Sequence, residues 1–156
     1  MTSPAWYNEE KKLKEGDVLS FSYIRLIQLS DGEDYMVFED PFGIRHMVPY
    51  SYYRKYPVQP GMEIVCRVDR INCTGRVFLE PEHPFYTSGK NAAFSVISVE
   101  NISAARDIVR ITVIDIFGNE IFTEINKPSA TEIKAGEMIE FRVETVLKGK
   151  PVLICV

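Results

Sequence analysis

Two sequence motifs occur twice in this chain, and the two copies of each are separated by the same number of residues. The stretch Glu-Asp-Pro-Phe-Gly at 39–43 recurs as Ile-Asp-Ile-Phe-Gly at 114–118, and a glycine-led strand pattern at 61–68 recurs at 136–143. Both motifs are offset by 75 residues, which predicts a duplicated structural module. Because units of this size bury a low fraction of their surface, we expect the two units to pack against each other.

The apolar residues of each repeat alternate as they do in β-strands, and in the first strand the alternation changes phase. Leu19 and Phe21 share one face, whereas Ile24 and Leu26 share the other, and the second copy changes phase after Val96. A β-bulge moves the apolar set across a strand in this way. A long first strand that bends and serves both halves of a barrel is typical of OB-type folds. The pattern predicts an all-β protein made of two tandem five-stranded OB-like barrels from an internal duplication.

Turn residues and prolines set the expected boundaries along the chain. We expect an N-terminal lead-in at 1–15, a first barrel at 16–81, a connector at 82–90 and a second barrel at 91–156. Prolines in the connector favour a semi-rigid link.

Comparison of the two copies also predicts which side chains of the first unit face its core. In the second strand, Met36 and Phe38 are expected to point inward, and Tyr35 and Val37 outward. Cys66 falls at an inward position of the fourth strand, where it would act as a small apolar residue.

Charge and cysteine content narrow the classes of function. The net charge is −4 and the isoelectric point is about 5.3, so the whole chain has no basic field to gather nucleic acid, although a local basic patch is compatible with these values. Three cysteines without CxxC spacing indicate reduced thiols in a cytoplasmic protein. No segment has the composition of a signal peptide or the length of a membrane span. We therefore expect no membrane partner.

Sequence signs of catalysis are lacking. The chain has no G-x-S-x-G, P-loop or G-x-G-x-x-G motif. Its two histidines, His46 and His83, do not have zinc-ligand spacing with the cysteines. Glu80 and Glu82 are expected to be solvated charges at a barrel edge. We therefore expect a non-enzymatic protein that uses no cofactor and no metal.

Several short patterns follow one another along the first unit. They are Gly-Asp-Val at 16–18, which opens a bent strand, the hairpin around Phe42 and Gly43, the strand pattern at 61–71, and a last short strand at 75–79. In this order they resemble the S1-like members of the OB-fold group, over about residues 15–81. S1-like domains commonly bind single-stranded RNA through aromatic and basic residues on the second and third strands, and the resemblance implies the same here. The second unit carries acidic and amide residues at its hairpin instead, namely Asp115, Asn119, Glu120 and Glu124, so the implication does not extend to it.

Aromatic and basic side chains are concentrated in the first unit, and all eight tyrosines lie at or before Tyr86. Single-stranded nucleic acid is bound by aromatic stacking combined with a basic groove. We predict a platform for single-stranded RNA or DNA, with RNA favoured, in which tyrosines stack on bases and cationic groups pair with phosphates: Tyr23, Tyr35, Arg25, Arg45, His46 and Arg67. The alternative is that the tyrosines cover the barrel ends and the unit boundary.

A second candidate surface is the segment 50–56, where the flanking prolines allow only a helical turn. Tyrosine and arginine are enriched at protein interfaces, and this segment contains Tyr50, Tyr52, Tyr53, Arg54 and Tyr56. It supports a protein-interaction or assembly module without nucleic-acid binding as the alternative function. The same segment could instead plug the end of the barrel, with Val58 as its core anchor.

Overall fold

The computed structural model describes residues 12–103, 105–126 and 133–155, so most of the predicted lead-in lies outside the described residues. The described part of the chain is all-β, with one short 3₁₀ helix at Tyr50–Tyr53. The first five strands are β1 (Val18–Gln28), β2 (Asp34–Glu39), β3 (Arg45–Pro49), β4 (Glu63–Ile71) and β5 (Val77–Pro81). The next five are β6 (Asn91–Ser103), β7 (Ile108–Ile114), β8 (Glu120–Asn126), β9 (Met138–Leu147) and β10 (Lys150–Cys155).

Each half of the chain forms one five-stranded antiparallel sheet, and the two sheets have the same strand order. The order is β3-β2-β1-β4-β5 in the first and β8-β7-β6-β9-β10 in the second. The edge strands β3 and β5 approach each other, and the Thr123 hydroxyl of β8 donates a 3.2 Å hydrogen bond to the Leu153 carbonyl of β10. A sheet that curls so that its third and fifth strands meet is a partly open OB-like barrel. The prediction of two tandem five-stranded OB-like barrels is confirmed.

A bulge interrupts the first strand of each barrel, as the change of phase predicts. It lies between Tyr23 and Arg25 in β1 and between Val96 and Ser98 in β6. Tyr23 and Val96, which precede the bulges, pair with Phe38 and Val113. Tyr23 and Val96 are 73 residues apart, whereas their partners keep the offset of 75. The second copy therefore has two additional residues between the residue that precedes the bulge and its partner on the second strand.

Each unit forms the same main-chain hydrogen bond within itself, at an equivalent position. The amide of Gly61 donates to the carbonyl of Tyr23, and the amide of Gly136 donates to that of Val96, each over 2.8 Å. Both glycines have positive φ, +96° and +92°, which glycine adopts at little steric cost. These matching bonds show that the repeated sequence motifs fold into repeated structure.

Each unit has its own apolar core inside its barrel. The most deeply buried side chains are Phe21, Met36, Phe38, Cys66 and Val68 in the first unit and Phe94, Ile111, Val113, Phe141 and Val143 in the second. The inward positions predicted for Met36, Phe38 and Cys66 are confirmed. Val37 lies on the face opposite to Met36 and Phe38, as predicted, but it is only 6% exposed. Val37 lies between its cross-strand neighbours Arg25 and Met47, and long side chains on the same face shield a small one from water.

The chain divides into two compact units between Glu82 and His83. Unit 1 contains β1–β5 and the 3₁₀ helix, and unit 2 contains β6–β10. The connector at 82–90 and the packing of one unit on the other stay predictions. Among the residues that the structure describes, no helix is long and apolar enough to cross a membrane.

Candidate functional site

A groove of about 430 Å³ lies in unit 1 where β3 approaches the β4–β5 hairpin. We call it the unit 1 groove, and it is lined by Leu29, Tyr35, Ile44, Arg45, His46, Met47, Gly75, Arg76 and Val77. These residues come from β2, the β2–β3 turn, β3, the first residue of β5 and the loops that follow β1 and β4. The same face and the same two loops carry the oligonucleotide and oligosaccharide sites of OB folds.

The lining of the unit 1 groove is cationic in a protein whose net charge is −4. It contains two arginines and a histidine, and none of the lining residues carries a carboxylate. Arg45 forms one ion pair, from its Nε to the Glu39 carboxylate at 3.3 Å, and both side chains are exposed. An ion pair between exposed groups is weak, so it leaves the Arg45 guanidinium available to an anionic ligand.

Tyr35 is the aromatic residue of the groove. It is half-buried on β2, and its hydroxyl donates a 3.0 Å hydrogen bond to the Asp31 carboxylate in the preceding turn. This hydrogen bond is the main cause that raises the pKa of Tyr35. The bond fixes the hydroxyl end of the side chain and so restricts the ring before any ligand arrives.

His46 is held in the groove wall by a buried carboxylate. Its Nε2 lies 2.9 Å from Oδ2 of Asp40, and the Asp40 side chain is almost completely buried. The other oxygen of Asp40 accepts the amide hydrogens of Phe42 and Ile44, at 2.8 and 2.9 Å. One side chain therefore closes the β2–β3 turn and orients the histidine.

The structure brings three of the six predicted nucleic-acid residues together in the groove, namely Tyr35, Arg45 and His46. Arg25 is exposed on β1 but is not part of the lining, and Arg67 on β4 forms an ion pair with Asp69 at 3.2 Å. The sequence reasoning missed Arg76, which lies in the lining next to Gly75. The glycine turn between the last two strands was a signal for it, because that loop belongs to the ligand-binding face of OB folds.

The prediction that Tyr23 belongs to the stacking platform is wrong, because its side chain lies in the core. Tyr23 is 3% exposed and its ring stacks on Phe38, with the ring centres 5.3 Å apart. The bulge of β1 follows Tyr23 rather than preceding it, so Tyr23 keeps the inward alternation of Phe21. A ring in the core cannot stack on a nucleic-acid base.

The segment 50–56 divides into buried and exposed side chains. Tyr53 and Tyr56 are 2% and 7% exposed, and their ring centres lie 5.2 Å apart, so these two act as a barrel plug and not as a protein surface. Tyr52 is 43% exposed. Arg54 is exposed too, and its guanidinium lies 5.5 Å from the centre of the half-buried Tyr50 ring.

A buried polar group accompanies this plug. The Tyr53 hydroxyl donates a 3.0 Å hydrogen bond to Glu80, which is 5% exposed. The expectation that Glu80 is a solvated charge is therefore wrong, because the plug covers this end of β5. Burial, reinforced by the nearby Glu80 carboxylate, raises the pKa of both Tyr53 and Cys66.

Unit 2 has a groove at a different place, between the second half of β8 and β10, with a different chemical character. It has a volume of about 400 Å³ and is lined by Ile108, Thr123, Glu124, Ile125, Asn126, Leu153 and Ile154. No arginine, lysine or histidine is among these lining residues. The strand pairings place Glu120 and Ile121 where unit 1 has Arg45 and His46. The cationic lining is therefore a property of unit 1.

The described residues thus define an all-β chain of two OB-like barrels with one cationic groove. No known protein-family model matches the chain, and no curated protein matches it at a significant level. Among solved structures, the chain is similar to ModG, a cytoplasmic molybdate-binding protein, in its molybdate-bound form. The identity is 16%, the alignment covers 93% of this chain and 99% of that chain, and the TM-score is 0.30. At this score the likeness carries no argument about the ligand.

Proposed function

We propose that unit 1 is a non-enzymatic module that binds single-stranded nucleic acid, with RNA as the favoured ligand, in the unit 1 groove. The observation that carries the proposal is the lining itself. It combines Tyr35 with Arg45, His46 and Arg76 and contains no carboxylate, although the chain as a whole is acidic. A local cationic groove with an aromatic side chain is the chemistry that single-stranded nucleic acid requires.

Each part of the lining has a role in this proposal. Tyr35 stacks on a base, an interaction worth about 1–3 kcal/mol. Arg45 and Arg76 pair with phosphate oxygens, which arginine contacts with several donors at once. Ile44 and Met47, which are 58% and 41% exposed, offer apolar surface for a second base or for the ribose.

Binding fits the groove better than catalysis does. Nucleophilic catalysis needs a side chain such as serine, threonine or cysteine beside a base, and paired carboxylates serve acid–base chemistry. The lining of the unit 1 groove contains no serine, threonine or cysteine and no carboxylate.

The test is fluorescence-anisotropy binding of a mixed-sequence RNA 12-mer at low and at moderate salt. Tyr35→Ala and Arg45→Ala should each weaken binding about tenfold, which corresponds to roughly 1.4 kcal/mol. Arg45→Ala should also reduce the slope of log K against log salt by about 0.7, because one phosphate contact is lost. Tyr52→Ala and Arg110→Ala are matched controls, since they remove an exposed tyrosine outside the groove and an arginine of unit 2.

Two results would overturn the proposal. One is the absence of binding by the unaltered protein even at low salt. The other is an unchanged affinity in both Tyr35→Ala and Arg45→Ala. The same RNA should be compared with DNA of the same sequence, and tighter RNA binding would support RNA as the ligand.

A protein partner is the second candidate, and the exposed side chains of Tyr52 and Arg54 beside the half-buried Tyr50 ring favour it. An aromatic protein interface changes little with salt, whereas phosphate contacts weaken steeply. A pull-down in which Tyr52→Ala removes a bound protein, while Tyr35→Ala does not, would support this function.

A further inference from the structure

The β4–β5 hairpin of unit 1 holds two arginines against one aromatic ring. The guanidinium carbon of Arg70 lies 4.3 Å from the centre of the Phe78 ring, and that of Arg76 lies 4.9 Å from it. Cations at this distance are attracted by the electrons of the ring. We call Arg70, Phe78 and Arg76 the arginine–phenylalanine trio.

A bulge in β4 places Arg70 in the trio. The register of β4 against β5 shifts between Val68 and Arg70, and Arg70 then pairs with Phe78. In a regular strand Arg70 would share the face of Val68, which is completely buried. The bulge brings Arg70 to the surface instead, where it is exposed.

The two arginines of the trio have no acidic partner among the described residues. The contrast is with Arg45, Arg67 and Arg110, each of which lies within 4.0 Å of a carboxylate. Two like charges held on one ring repel each other, and a bound anion removes that repulsion. The arrangement is therefore suited to a phosphate.

The trio is continuous with the unit 1 groove, because Arg76 belongs to both. Unit 2 keeps the bulge but not the trio, since Thr145 and Val152 stand at the positions of Arg70 and Phe78. The bulge therefore belongs to the shared fold, whereas Arg70 and the ring are specific to the unit with the cationic groove, and Lys150 stands at the position of Arg76.

We propose that the arginine–phenylalanine trio is a second phosphate-binding subsite, which holds the single-stranded RNA where it leaves the unit 1 groove. This inference rests on the proposed function and extends it. The strand runs from Arg45 across Tyr35 to Arg76, and Arg70 then pairs with a phosphate beyond the groove. A ligand long enough to reach Arg70 gains a contact that a very short one lacks.

The experiment compares an RNA 4-mer with an RNA 12-mer in anisotropy titrations. Arg70→Ala should weaken 12-mer binding about tenfold and lower its salt slope by about 0.7, and it should leave 4-mer binding within about twofold. Phe78→Leu keeps both charges and removes the ring, so it should weaken 12-mer binding by a smaller factor without changing the salt slope. Its urea midpoint is measured in parallel, because Phe78 is half-buried.

The control for Arg70→Ala is Arg110→Ala, which removes the same charge from a guanidinium 5.7 Å from the Phe122 ring centre in unit 2. It should leave both RNA affinities unchanged. If the unaltered protein binds neither RNA, the proposed function fails and the subsite fails with it. If the unaltered protein binds the 12-mer and Arg70→Ala binds it equally well, the subsite is wrong and the groove assignment stands.

Discussion

A buried histidine of unit 2 shows how much a single side chain contributes to the local fold. His83 is 5% exposed, and its ring lies against Tyr86 and Phe117, with centre distances of 4.6 and 5.2 Å. Its Nδ1 accepts the amide hydrogens of Phe85 and Tyr86 at 3.0 and 3.2 Å. A nitrogen that accepts hydrogen bonds carries no proton, so the turn requires the neutral ring.

His83 makes the stability of the protein dependent on pH. Burial lowers the pKa of His83 from its ordinary value of 6.5, and the nearby Asp115 only partly opposes this effect. The unfolded chain therefore binds the proton more readily than the folded chain. The stabilising effect of the neutral ring is complete above pH 6.5 and is lost as the pH falls through the lower, folded-state pKa. We expect the free energy of unfolding, measured by urea titration, to decrease between pH 7.5 and pH 5.5.

The variant that tests this is His83→Asn, whose side-chain oxygen can accept the same two amide hydrogens without titrating. Its unfolding free energy should depend less on pH over this interval. His46→Gln, which removes the other histidine, should retain the His83 contribution. Identical pH profiles for His83→Asn and the unaltered protein would contradict the assignment.

Tyr23 and Glu80 show why side-chain positions are harder to predict than strands. The change of phase in β1 predicts a bulge, but the sequence does not show on which side of Tyr23 it falls, and that one step decides between core and surface. Glu80 follows an apolar strand residue and resembles a solvated charge, yet Tyr53, which is 27 residues away in sequence, covers it. Burial of this kind depends on tertiary contacts that a local pattern does not contain.

At the scale of elements, an aspartate closes the β2–β3 turn of unit 1 and its copy closes the β7–β8 turn of unit 2. Asp40 accepts two amide hydrogens with one oxygen, and Asp115 does the same with those of Phe117 and Asn119, at 2.9 and 2.8 Å. Both aspartates are buried. The second carboxylate oxygen has a different partner in each unit. In unit 1 it contacts Nε2 of His46, and in unit 2 it accepts a hydrogen bond from the side-chain amide of Asn119.

Asp40→Ala should therefore destabilise the protein by about 2–4 kcal/mol, because hydrogen bonds to a charged group contribute roughly 1.5–3 kcal/mol each. Asp40→Asn keeps one acceptor oxygen and should lose less. Amide hydrogen exchange should accelerate at Phe42 and Ile44 and stay unchanged at Phe117. Asp115→Ala is the matched variant, and it should accelerate exchange at Phe117 instead. Unchanged protection at Phe42 in Asp40→Ala would show that the backbone alone holds the turn.

Strands and turns were largely predictable because their signals are local, as with the alternation in β4 or the glycine that opens it. The unit 1 groove was only half predictable. Tyr35, Arg45 and His46 lie on two adjacent strands of one hairpin, which the sequence identifies. Arg76 comes from a hairpin further along the chain and meets them only where β3 approaches β5.

For the molecule as a whole, the two units have the same barrel but different side chains at the place of the unit 1 groove. Glu120 stands where Arg45 stands, and Arg110 takes the place of Tyr35. Arg110 lies within 4.0 Å of Glu100 and within 3.5 Å of Glu124, so two carboxylates accompany the single cation and the charge at this place is negative. A chain with two similar barrels is therefore expected to carry one nucleic-acid site.

Isothermal titration calorimetry with an RNA 6-mer at low salt tests this expectation, and we expect one RNA bound per chain. Arg45→Glu places in unit 1 the residue type that unit 2 has at the equivalent position, Glu120. It should weaken RNA binding by more than tenfold, because it replaces an attraction to phosphate by a repulsion. Glu120→Arg is the reciprocal change. The Glu120→Arg protein should still bind one RNA per chain. The new cation does not supply unit 2 with the equivalents of the Tyr35 ring and of the arginine–phenylalanine trio, which unit 1 has. A stoichiometry of two RNA molecules in the unaltered protein would show that unit 2 binds RNA despite Glu120, and the cationic lining would then not be what selects the ligand.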